Sequence, residues 1–313
     1  MITHMPFYKA YGLNISSEIA LPELSSAEKT TDIDLYISTG NIVVPGLKKT
    51  PIHRRGIQAY HGIDDAGNLI LHWDQVATFK AVQGNQLIIS PLTHDSNLLS
   101  LFTISEALAM ILFQKGYFLL HASAVKVGNE AWCFMGVPGA GKSTTAAAFV
   151  KSRCSLLSDD LTAIKFDETG KAFIIPGYPQ LKIWDNSVKG LDYDRASLQP
   201  VSEGVNKFSF RPEGEFSLEP VALGNIFFIH KAKNRPEQQA LSALEVPIET
   251  LKNFPLPTSL LKGQYLQDHF QQSFLCAKSA GMWRKRRPNG FDLLEKWVEE
   301  SISLQSDVLL NAL

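Results

Sequence analysis

Short alternating runs dominate the first 95 residues. Asp32-Ile33-Asp34-Leu35-Tyr36-Ile37 steps from polar to apolar with the period of a half-buried strand. Asn68-Leu69-Ile70-Leu71-His72-Trp73 and Asn85-Gln86-Leu87-Ile88-Ile89-Ser90 each follow a turn glycine, Gly67 and Gly84. These runs predict a β-rich N-terminal domain over residues 1–95. The pattern changes near His94. An apolar stretch over 98–113, with Asp95 or Ser96 to cap its start and Gly116 suited to its end, predicts a helix to about Lys115. Residues 117–127 read as a strand, Gly128-Asn129 as a turn, and Ala131-Trp132-Cys133-Phe134-Met135 as a buried strand running into a glycine-rich loop. An alanine-rich helix is expected over 143–150, and a short strand at Cys154-Ser155-Leu156-Leu157 ends in Ser158-Asp159-Asp160. Residues 161–166 and 171–175 flank a hairpin turn at Asp167-Glu168-Thr169-Gly170. An apolar strand follows at 221–229, and the last third reads as mainly helical, amphipathic over 291–300. Strands alternating with helices place residues 96–313 in the α/β class.

Composition narrows the picture. The 313 residues are 45% hydrophobic and 19% charged, enough for a sizeable core in about two domains. The net charge of −1 supplies no global field for nucleic acid or an anionic membrane, so any anion site must be local. The three cysteines, Cys133, Cys154 and Cys276, lie far apart and form neither a zinc nor a disulfide framework. The apolar stretch over 98–113 reads as too short and too polar to span a bilayer. The expectation is a protein of the reducing cytoplasm, without nucleic-acid or membrane partners; the oligomeric state stays open, a homo-oligomer included.

The chemistry concentrates in Gly136-Val137-Pro138-Gly139-Ala140-Gly141-Lys142-Ser143, a complete P-loop between a strand and a helix. Glycines let the backbone curl with its N–H groups inward around phosphates. Lys142 is expected at the β- and γ-phosphates of ATP, and the Ser143 hydroxyl, with Thr144 beside it, on Mg²⁺. Asp159 and Asp160 end the next strand, where a parallel sheet would turn them toward the phosphates. One carboxylate suits the metal and the other an attacking hydroxyl; we assign Asp160 to Mg²⁺ and Asp159 to the proton, with the exchanged assignment open. His121, in Leu119-Leu120-His121-Ala122-Ser123-Ala124, is expected to hydrogen-bond Asp159 and tune it.

Four cations remain as candidates. Lys182 could point at phosphate or a substrate carboxylate, or snorkel at the surface. Lys207 could stabilise transferring charge. Arg286 and Arg287, in the run Arg284-Lys285-Arg286-Arg287, could form a solvated face or contact an anion or nucleotide.

Three stretches together, Leu-His-Ala-Ser-Ala-Val at 120–125, the loop at 136–143 and Leu157-Ser158-Asp159-Asp160, resemble the core of HPr kinase/phosphorylase-type serine kinases. That core is itself similar to the nucleotide-binding core of phosphoenolpyruvate carboxykinases. The resemblance covers roughly residues 96–300. It implies an α/β fold with an HPr-kinase-like, carboxykinase-like P-loop core beside a smaller β-rich N-terminal domain. Tyr11-Gly12-Leu13 with Ser17-Glu18 and Leu21-Pro22-Glu23-Leu24, the segment Pro176-Gly177-Tyr178-Pro179-Gln180-Leu181-Lys182-Ile183-Trp184, and Arg286-Arg287-Pro288 resemble a divergent branch encoded with lasso-peptide and other peptide-modifying systems. For that branch the implied activity is ATP-dependent phosphorylation of a serine on a precursor peptide or small protein. The Pro-Gly-Tyr-Pro segment stands where HPr kinases carry an acidic, glycine-rich signature, so the metal and HPr-docking roles of that signature do not transfer. A small-metabolite kinase, a true HPr kinase/phosphorylase and a nucleotide-dependent switch are the alternatives.

Overall fold

The computed structural model describes residues 5–44, 46–201, 206–212, 214–234 and 236–310, with side chains to residue 305. Nine strands form the N-terminal sheet: β1 (Phe7–Ala10), β2 (Leu13–Ser17), β3 (Ser25–Ser26), β4 (Leu35–Thr39), β5 (Lys48–Arg54), β6 (Ile57–Ile63), β7 (Leu69–Trp73), β8 (Ala77–Val82) and β9 (Gln86–Pro91). They lie in the order β3-β1-β2-β4-β9-β8-β7-β6-β5, with antiparallel meanders outside and parallel β2-β4 and β4-β9 pairs inside. The alternation read from the sequence is the burial pattern: on β4 Leu35 and Ile37 are buried while Tyr36 is exposed.

Asp95 caps the next helix, its carboxylate accepting from the Asn97 and Leu98 amides. The helix is not uniform. α1 (Ser96–Phe102) and α2 (Leu108–Gln114) are joined by a π-helical turn, Thr103–Ala107, in which Ser105 leaves helical geometry. Its 19 residues are long and apolar enough to cross a membrane, contrary to the sequence reading, but 78% of that window is buried inside the protein. Phe102, Leu108 and Ile111 share one core with Trp73 and Phe79 of the N-terminal sheet and with Leu161 and Tyr178 from further along.

The strand expected over 117–127 is two. β10 (Phe118–Leu120) pairs with β14 (Thr162–Phe166), and β11 (Ala122–Val127) pairs with β12 (Glu130–Met135); His121 sits at the break, its amide bonded to the Asn253 carbonyl at 2.7 Å. The second sheet runs β10-β14-β15-β19-β12-β11-β13, where β13 is Ser155–Ser158, β15 is Ala172–Ile175 and β19 is Val221–His230; β21 (Gly281–Arg286) lies on the far side of β19 and pairs with β20 (Gln238–Ala240). A small third sheet holds β16 (Leu181–Trp184), β17 (Gln199–Pro200) and β18 (Lys207–Phe210). The helices are α3 (Lys142–Lys151), α4 (Asp185–Gly190), α5 (Val246–Lys252), α6 (Gln264–Ser279) and α7 (Asp292–Leu310). Among the described residues the fold is mixed α/β with three sheets. The basic run 284–287 ends a strand inside the expected helical third.

Strand direction creates the site. β12, β19 and β21 are mutually parallel neighbours. β11 is antiparallel to both β12 and β13, so β13 again points the same way as β12. The residues that follow these four strands, Gly136, Asp159, Lys231 and Arg287, therefore emerge at one sheet edge, and His121 enters β11 at that edge.

Candidate active site

Gly136 opens the glycine-rich loop with φ 150°, and a Cβ there would lie 2.5 Å from the Ile229 carbonyl oxygen. Gly139 and Gly141 have φ of 75° and 105°, a left-handed region that favours glycine. Gly141 is the N-cap of α3, and no side chain caps that end, so its first amides are available to an anion. Lys142 is buried and its Nζ donates to the Gly136 carbonyl at 3.0 Å. Burial lowers its pKa, and the charges of Asp160 and Asp159 oppose that.

Asp159 is held from three sides. Oδ1 accepts from Ser123 Oγ at 2.6 Å and from Ser143 Oγ at 3.0 Å, and Oδ2 accepts from the Lys182 amide at 2.9 Å. Burial pushes its pKa up, as does the charge of Asp160. The expected hydrogen bond from His121 to Asp159 does not form; the carboxylate's partners are Ser123, two residues after His121, Ser143 and the Lys182 amide. Asp160 has φ 66°, and the Leu161 amide closes a tight turn on the Asp159 carbonyl at 2.8 Å. Tyr11 Oη pins this turn by donating to the Leu161 carbonyl at 3.0 Å. The Asp160 carboxylate opens into the cavity, with Lys182 Nζ 3.8 Å away. Burial alone would raise its pKa, but Lys182, then Lys207, Arg54 and His121, hold it well below the usual carboxylate range. Burial and then the Lys142 charge lower His121 to about 4, so its ring is neutral at pH 7.

The loop, Asp160 and His121 surround an open cavity of about 760 Å³, also lined by Lys207, Lys231 and Arg287. The Arg287 side chain lies against the loop: a Cβ on Gly141 would sit 2.7 Å from its Cδ. Its buried Nε has no hydrogen-bond partner among the described residues. Lys182 is buried rather than snorkelling, and Lys207 lies over the Trp184 ring at 5.6 Å. Arg286 is not brought in; it lines a neighbouring cavity and donates to the Lys233 carbonyl at 3.3 Å. Val137 and Ala140 serve the loop's shape, with an Ala140 amide to Val137 carbonyl bond of 3.0 Å, and Pro138 and Thr144 line the cavity.

Sequence reasoning missed Ser123, Lys231, Asn253 and Arg54. Ser123 carried a signal, a hydroxyl in an apolar strand two residues from His121. Asn253, whose Oδ1 accepts the Gly136 amide at 3.2 Å, and Arg54, from β5, carried none. The structure also joins Tyr11 to the Pro176–Tyr178 stretch: the Tyr11 amide donates to the Pro176 carbonyl at 2.9 Å, and a Cβ on Gly177 would lie 2.9 Å from the Tyr11 ring.

No family model and no curated protein matches the chain. Among solved structures it is similar to the HPr(Ser) kinase/phosphatase from Coxiella burnetii, with 16% identity over 38% of this chain and 69% of that one, at a TM-score of 0.25. The reading of the site therefore rests on its own residues.

The residues fit a nucleotide triphosphate and Mg²⁺. The glycine cradle, the uncapped helix end and the orphaned Arg287 Nε are donors awaiting an anion. Among the described residues no cluster of three or more His, Cys, Asp or Glu could hold a metal alone. A magnesium ion needs no such cage, because phosphates and water supply most of its ligands.

Proposed function

We propose that this chain is an ATP- and Mg²⁺-dependent serine kinase with an HPr-kinase-like, carboxykinase-like core, acting in the cytoplasm on a peptide or small protein. The observation that carries this reading is the Ser143–Asp159 hydrogen bond at the start of the glycine-loop helix, with Asp160 opening beside it into the same cavity. Bound MgATP supplies the transferable phosphoryl group and the metal. Lys142 and Arg287 bring positive charge to the phosphates, and Lys207 and Lys231 line the rest of the cavity. Ser143 and Asp159, joined by a hydrogen bond, would hold the metal. Asp160 meets the acceptor hydroxyl, orients it and takes its proton, with neutral His121 beside it. Geometry thus favours an exchange of the two aspartate roles expected from sequence. The buried contact between Tyr11 and Gly177 joins two of the segments on which the lasso-associated resemblance rests.

Labelled ATP incubated with serine peptides, free serine and small alcohols, followed by mass spectrometry, tests the proposal. Phosphoserine on a peptide is expected. ATP turnover with no phosphorylated acceptor would favour a nucleotide-dependent switch. Transfer to free serine or alcohols without preference for peptide would favour a small-molecule kinase.

A further inference from the structure

The cavity carries more positive charge than a magnesium-bound triphosphate needs. The chain as a whole is at −1, yet Asp160 is the one carboxylate among the described residues lining a wall that also holds Lys142, Lys207, Lys231 and Arg287. A second group of basic side chains enters from elsewhere. His53 and Arg54 at the end of β5 and Arg55 in the turn to β6 line the same cavity. Arg54 also lines the small chamber behind Asp160 and His121, which the glycine loop does not reach.

This turn is held in place. Arg54 forks onto Glu106, with Nε 3.0 Å and Nη2 3.1 Å from the two carboxylate oxygens, and both side chains are mostly buried. Glu106 is carried by the π-helical turn Thr103–Ala107, so the irregularity in that helix anchors the turn over the cavity. On either side of the anchored Arg54, His53 and Arg55 stand exposed at the cavity mouth. Phosphate-binding duty is already met by the loop, the helix end and Arg287. Cations supplied to the cavity by the N-terminal sheet, apart from the glycine loop, suit an anion on the acceptor.

Building on the kinase reading, we propose that Arg55, with His53 beside it, binds a carboxylate that the acceptor carries next to its reacting hydroxyl. A charged contact remote from the reacting oxygen would help fix a weak nucleophile in line with the phosphoryl group.

The test uses the full chain and serine peptides differing only at the residue next to serine: Glu, Gln or Lys. Affinity is measured on versions with Ala in place of the serine, and kcat/KM on the serine peptides with MgATP. We expect the Glu peptide to bind about tenfold tighter than the Gln peptide, the size of one charge-assisted contact. Arg55→Lys should keep that preference, and Arg55→Glu should reverse it in favour of the Lys peptide. Equal binding of all three by the wild-type chain, or a Glu preference that survives in Arg55→Glu, overturns the proposal. If no peptide binds, free serine and serinamide are compared in the same way. Tighter serine binding keeps the carboxylate and assigns it to a small hydroxy acid; equal binding overturns the proposal. Transfer without charge discrimination overturns this inference and leaves the kinase reading standing. Discrimination in binding with no transfer to any acceptor does the reverse.

Discussion

Lys142 and the two aspartates separate the binding of nucleotide from the transfer. The Lys142 ammonium donates to the Gly136 carbonyl of the loop. Lys142→Ala should weaken MgATP binding about thirtyfold, on the order of 2 kcal/mol, with the thermal midpoint little changed. Calorimetric titration beside a melting curve checks both, and unaltered affinity in a folded variant would remove the loop from nucleotide binding. The aspartates divide differently. Asp159 accepts three hydrogen bonds in a buried position, so Asp159→Asn should cost roughly 1–3 kcal/mol of stability and raise the Mg²⁺ concentration needed for activity. Asp160 faces the cavity. Asp160→Asn should keep MgATP affinity and lose about a hundredfold or more in transfer rate. Wild-type transfer by Asp160→Asn, or an unchanged Mg²⁺ dependence in Asp159→Asn, would refute that division of roles.

At the scale of elements, helix α6 carries a proton-linked weak point. His269 is buried against Phe118 and Phe254, with Thr250 Oγ1 3.4 Å from its Nε2. Burial lowers its pKa to about 4. An unfolded chain takes up that proton near pH 6.5, so the neutral ring favours the folded state above this pH. Stability should fall as pH drops from about 6.5 toward 4, by an amount on the order of 3 kcal/mol from this group. Denaturant melts from pH 7 to pH 5, for the wild-type chain and His269→Gln, would measure it; a His269 signal titrating near 6.5 by NMR would contradict it. The same scale explains the break between β10 and β11. Leu120 and Ala122 commit to different partner strands, β14 and β12, and His121 is left at the junction beside Asp160.

For the whole molecule, the N-terminal sheet is more than an appendage. Its core residues Trp73 and Phe79 pack with Phe102 of the following helix, and Tyr11 reaches the aspartate turn. A fragment lacking residues 1–95 would expose that helix's apolar surface. We expect such a fragment to lose cooperative unfolding and to aggregate instead of behaving as an independent MgATP-binding core. Calorimetry of the purified fragment tests this, and a sharp transition with intact MgATP affinity would show that the core folds alone.

The loop at 136–143, the acid pair and the strands on either side were legible from the chain alone, because each depends on neighbours within a few residues. Glycines supply the left-handed turns, the preceding apolar run supplies the strand, and α3 starts where the glycines end. The hairpin at 167–170 was legible for the same reason, its Asp167 carboxylate bonding the Thr169 and Lys171 amides. Long-range order decided the rest. That Ser123 rather than His121 bonds Asp159 follows from where β10 ends and β11 begins. That Arg287 and not Arg286 reaches the loop follows from the register of β21 on β19, which turns Arg286 toward the neighbouring cavity. Arg54, 82 residues before the loop begins (136 − 54), arrives only through the packing of one sheet on a kinked helix. Local sequence encodes local backbone; which charges meet across the site is settled by strand order and by the burial that strand order forces.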